Sequence, residues 1–144
     1  MKRPICLLGL LLCLILGVSA ALPAAAQVQP TIRVYLRKLD VADSLHIQMK
    51  GRYMLEDGMM SFEDGAELTV VLRGDQLVLH TEKTAVVLGG RIKLQRVQSE
   101  TPGGLYLAGK KGLYEGDLTL TAQNGVIRPI LSIDVEDYLL GVVP

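Results

Sequence analysis

Cysteine occurs only at Cys6 and Cys13 of the 144 residues, both inside the leading apolar run. The remainder of the chain therefore forms no disulfide and offers no thiolate to a metal. Tryptophan is absent, phenylalanine occurs once, as Phe62, and tyrosine five times. Glycan grooves draw on large ring faces, and so small a supply argues against a self-sufficient glycan-binding module. The only histidines are His46 and His80. Zinc takes three or four ligands at recognisable spacings, so both read as strand histidines, and no metal or cofactor is expected. Neither sign of charge prevails, with 15 basic and 15 acidic residues. That balance leaves no electrostatic footprint for nucleic acid. No G-x-S-x-G, H-E-x-x-H or Cys/His nucleophile set is present.

What is present begins with a targeting pattern. Lys2 and Arg3 form a basic leader, Ile5 to Val18 is almost wholly apolar, and Ala24-Ala25-Ala26 supplies a small-residue cleavage site. These are the parts of a secretory signal peptide, which predicts export and a mature start at Gln27. An uncleaved anchor is the alternative, since Ile5 to Ala26 carries no charge and is long enough to span a bilayer. Membrane contact is expected through this segment alone. Removing Lys2 and Arg3 leaves 13 basic against 15 acidic residues, in a stretch sufficient for one domain.

After Gln27 the period is two. Ile32, Val34 and Leu36 alternate with Arg33, Tyr35 and Arg37; Leu45, Ile47 and Met49 alternate with His46, Gln48 and Lys50. Ala66, Leu68, Val70 and Leu72 form a third set, followed by Leu77 and Leu79, Ala85 to Leu88, and Ile92 and Leu94. Each set predicts a half-buried strand. Asp57-Gly58, Asp64-Gly65, Gly74-Asp75, Gly89-Gly90 and Asn124-Gly125 punctuate them as turns. Arg73-Gly74-Asp75 is read as one of these turns rather than as an adhesion tripeptide, and Gly109-Lys110-Lys111-Gly112 as a loop. The fold class is mainly β: roughly eight to ten antiparallel strands and hairpins, followed by one short C-terminal helix. Ser99 to Gly104 is the expected internal boundary.

The helix is expected from Val135. Val135, Tyr138, Leu139, Val142 and Val143 fall on one helical face. Asp134 stands at the N-cap position, with Asp137 three residues on as a capping-box-like partner. The run Val135-Glu136-Asp137-Tyr138-Leu139-Leu140-Gly141-Val142-Val143-Pro144 resembles the signature segment of the SpoIID/LytB family, which contains the stage II sporulation protein D and cell-wall amidase enhancers. Tyr114-Glu115-Gly116-Asp117-Leu118-Thr119-Leu120, Ile32-Arg33-Val34-Tyr35-Leu36 and Gly51 to Gly58 resemble further segments of that family, in its order. Leu131-Ser132 departs from it, standing where the family has an Asn-containing strand.

The resemblance implies an exported wall protein, and an α+β fold for the intact family domain. Residues 27–104 would be an accessory β region and 105–144 the opening of the conserved domain, which continues past Pro144. The implied partners are peptidoglycan glycan strands and a wall amidase. The implied activity of the intact form is a lytic transglycosylase, or alternatively non-catalytic activation of an amidase. The family's proposed catalytic glutamate follows the segment that ends here at Pro144, so no residue of this chain is expected to be catalytic. Glu136 and Tyr138 are the candidate substrate contacts. Their commoner roles would be, for Glu136, service to the helix N-terminus and, for Tyr138, a place in the core.

Overall fold

The computed structural model describes residues 30–97 and 103–142, and side chains as far as Leu140. The signal segment 1–26, most of the expected boundary at 99–104, and Val143 lie outside the described residues. Among the described residues twelve strands form two antiparallel six-stranded sheets. The first sheet has the order β1 (Thr31–Tyr35), β12 (Val126–Asp134), β11 (Asp117–Gln123), β8 (Arg91–Arg96), β3 (Tyr53–Leu55), β4 (Ser61–Phe62). The second runs β10 (Leu113–Tyr114), β9 (Gly104–Leu107), β2 (Ser44–Lys50), β5 (Glu67–Arg73), β6 (Gln76–His80), β7 (Ala85–Val87). One helix, α1 (Val135–Val142), follows β12. The fold is mainly β, as the period of two predicts.

The alternation sets the core. Leu45, Ile47 and Met49 of β2 are buried between exposed His46, Gln48 and Lys50. Leu68 and Val70 of β5, Leu77 and Leu79 of β6, and Leu105 and Leu107 of β9 join them from the second sheet. Tyr53, Leu94, Leu118, Leu120 and Leu131 face them from the first. All belong to one hydrophobic cluster. Strands from before and after residue 104 pair within both sheets: β9 pairs with β2, and β11 with β8. Segments separable in sequence thus share a single core.

The turn chemistry acts where it was read. Asn124 and Gly125 have φ of 54° and 75°, and Gln123 pairs with Val126 across them. Positive φ at both central residues belongs to the type I′ turn, whose twist suits a hairpin. Gly74-Asp75 likewise connects β5 and β6, where Arg73 pairs with Gln76. Four short strands, β3, β4, β9 and β10, take the count past the expected eight to ten, and none of the alternating sets covers them.

Pro129 stands inside β12, a strand paired on both sides. A proline there removes one ladder donor. The loss falls opposite Leu36, directly after β1 ends. Leu36 N–H donates to the Pro129 carbonyl at 2.9 Å, while the Leu36 carbonyl accepts from Leu39 N–H at 2.8 Å. The ladder therefore gives way to a 3-10 turn, Arg37–Leu39, anchored by buried Leu39.

Candidate functional site

The helix that carries Glu136 and Tyr138 starts where β12 stops. Asp134 Oδ1 accepts from the Glu136 amide at 2.8 Å, the N-cap bond expected of it. Val135 N–H donates to the Pro30 carbonyl at 3.1 Å, which fixes the helix start beside β1. Asp137 does not complete a capping box. Its Oδ2 lies 3.6 Å from Nη2 of Arg96 on β8. A charged partner on β8, two strands across the sheet from β12, pairs with it instead.

Tyr138 is not in the core. It is 36% exposed, Leu139 50% and Leu140 82%. The helix touches β12 and β1 near its own start, so its later residues project into solvent. Glu136 is exposed as well. Two residues apart on a helix, Glu136 and Tyr138 do not face each other. They present a carboxylate and a ring on different parts of one accessible surface.

Charges of alternating sign lead from the far edge of the first sheet to this helix. Glu56 is held by Arg91 at 2.9 Å and Lys93 at 3.3 Å. Lys93 lies 3.9 Å from Asp117, whose Oδ1 accepts from the Arg96 amide at 2.8 Å, and Arg96 reaches Asp137. The hydrogen bond from Arg91, then that from Lys93, holds the Glu56 carboxyl below its ordinary range. A general acid needs the opposite displacement, so Glu56 is an ionic tie and not a proton donor. Beneath this row the Tyr53 hydroxyl donates to the Gly116 carbonyl at 3.0 Å. Burial pushes that phenol far above its usual range.

His46 and His80 stand apart from any ligand set. His46 Nε2 is 3.9 Å from Glu67, and His80 pairs with Ala85 and Thr69 across β6. Among the described residues no three of His, Cys, Asp and Glu converge to hold a metal ion. None of the described helices is long and apolar enough to cross a membrane.

Sequence reasoning missed a groove of about 550 Å³ lined by Tyr35, Arg37, Lys38, Lys110 and Tyr114. Its parts lie up to 79 positions apart: the sequence marks Tyr35 and Arg37 as outward strand positions, Tyr114 as part of a family-like segment and Lys110 as a loop residue, with nothing to join them. The signal available was the unbroken pair Arg37-Lys38 directly after a strand. Comparison with protein-family models, with characterised proteins and with solved structures finds no match for this chain.

Proposed function

We propose that this is an exported cell-wall protein of the SpoIID/LytB kind, engaging peptidoglycan glycan strands through the α1 surface. The reading rests on the family-like run from Val135 and on the signal-peptide pattern. The observation that carries it is the exposure of α1: Glu136 and Tyr138 are both open to an extended ligand, on a helix pinned by Asp134 and Arg96. In the family sense the intact form cleaves the strands as a lytic transglycosylase, and Glu136 and Tyr138 are read as contacts to the strand rather than as its acid.

A second reading is favoured by one feature. Tyr138, Leu139 and Leu140 expose apolar surface on consecutive positions. Such a patch suits a protein partner, here a wall amidase that the chain would activate.

Cosedimentation with purified peptidoglycan tests the first reading. The protein should pellet with the sacculi and release no soluble fragments. Glu136→Gln and Tyr138→Ala should each reduce the pelleted fraction. Pelleting that neither substitution alters would remove α1 from the contact. Restoration of amidase activity without any pelleting would favour the activator.

A further inference from the structure

We propose that Met59 is a modification site: its thioether is oxidised by peroxides ahead of every other methionine among the described residues, and the fold is indifferent to the change. The site lies in the turn between β3 and β4, and it stands whether or not α1 meets a glycan strand.

The sulfur atoms are graded by burial. Of the chain's five methionines, Met1 lies outside the described residues. Met49 on β2 is 1% exposed and belongs to the core cluster. Met60 is half-buried and packs against that cluster. Met54 is half-buried on β3, where it pairs with Gln95 on one side and Ser61 on the other. Met59 is 71% exposed. Beyond the leading apolar run the chain has no cysteine. An exposed thiolate is the usual first target of a peroxide, so without one the thioethers are the sulfur that an oxidant meets.

Met59 and Met60 are neighbours in sequence, and the turn sets them apart. Gly58, at φ of 73°, takes a left-handed conformation in which the chain reverses. Met60 then rejoins the ladder, its carbonyl accepting from Leu55 N–H at 2.9 Å. Met59 is left at the tip, beside exposed Glu56, Asp57 and Gly58.

The turn is held without the Met59 side chain. Gly58 N–H donates to the Leu55 carbonyl at 2.8 Å, and the Met59 amide donates to Asp57 Oδ1 at 2.9 Å. Glu56 N–H donates to the Lys93 carbonyl at 3.0 Å, and the Glu56 carboxylate is tied to Arg91 and Lys93. These are backbone and carboxylate contacts, and an oxygen added to the Met59 sulfur disturbs none of them. The same oxygen on Met49 would set a polar group among apolar side chains with no donor to meet it.

The chemistry needs only contact with the oxidant. A sulfur lone pair attacks one oxygen of hydrogen peroxide. The S–O bond forms as the O–O bond breaks, and the proton on the attacked oxygen passes to the departing hydroxide, which leaves as water. Sulfur is oxidised to the sulfoxide and the peroxide is reduced.

Timed exposure of the purified protein to hydrogen peroxide, followed by peptide mass spectrometry, tests the site. Met59 should gain one oxygen about tenfold faster than Met49 and several-fold faster than Met54 or Met60. In guanidinium chloride the four rates should converge, because folding sets their order. Protein oxidised at Met59 alone should keep the melting midpoint of the untreated protein. Met59→Leu, an exposed change that leaves the core intact, should remove the fast phase and leave the three slow rates as they were. Oxidation of Met49, Met54 or Met60 as fast as Met59 would overturn the proposal. So would the same ranking in the denatured chain, a midpoint that falls as Met59 sulfoxide accumulates, or a fast phase that survives Met59→Leu.

Discussion

Leu36 and Pro129 form half of a ladder pair: the Leu36 amide donates to the Pro129 carbonyl at 2.9 Å, and no amide returns the bond. The freed Leu36 carbonyl accepts from Leu39 instead, and that bond closes the turn bearing Arg37 and Lys38. A ring fixed at one position of β12 thereby decides where β1 ends and where two cations point.

Pro129→Ala restores the missing donor. The new amide then competes with Leu39 for the Leu36 carbonyl. Protection of the Leu39 amide against hydrogen exchange should fall, and overall stability should drop by about 0.4–1 kcal/mol as the unfolded chain gains freedom. Unchanged Leu39 protection would show that the turn is held by Leu39 burial alone.

Tyr53 supplies the second prediction. Its hydroxyl bonds the Gly116 carbonyl inside the core. Tyr53→Phe leaves that carbonyl without its partner, at a cost of about 1–3 kcal/mol in urea denaturation. The pH dependence follows from the raised phenol. Above pH 10 the unfolded chain releases the Tyr53 proton while the native chain keeps it. The unfolded state then binds fewer protons, so stability is full below pH 10 and declines as pH rises further. The Phe variant should lose that share of the alkaline decline. An identical slope in both proteins would place the decline elsewhere.

Gly116 itself tolerates no side chain. Its φ is 127°, and a Cβ there would sit 2.3 Å from the Ser132 carbonyl oxygen. Neighbouring backbone cannot yield as a flexible side chain would. Gly116→Ala should therefore destabilise the protein by about 2–4 kcal/mol, combining dihedral strain with the clash. A loss below about 1 kcal/mol would mean that β12 shifts freely.

These residues also mark what the sequence discloses. Leu45, Ile47 and Met49, or Asn124-Gly125, are legible because period and turn chemistry are local. Asp134 is legible for the same reason. Asp137 departs from its expected place because Arg96, 41 positions earlier, offers a charge that helix statistics do not include. Tyr138 is exposed because α1 meets β1 and β12 only near its start, a matter of tertiary placement. The groove was hidden because Tyr35, Lys110 and Tyr114 come together only after both sheets form. Its proline, Pro129, acts on Leu36 from 93 positions away. Periodicity reports burial; it does not report which loops become neighbours.

The apolar end of α1 yields the last prediction. Leu139 and Leu140 are 50% and 82% exposed, and the buried cluster is complete without them. Substituting lysine for either should cost little folding stability, since little buried area is removed. Their exposure does favour self-association, because adjacent apolar side chains can be covered by a second molecule. Sedimentation velocity across a concentration series should show the unaltered protein growing in mean size and Leu140→Lys remaining monomeric, with denaturation midpoints equal within about 0.5 kcal/mol. A large drop in the Leu140→Lys midpoint would instead show that the helix end is packed in solution, and would withdraw it as a docking surface for a partner protein.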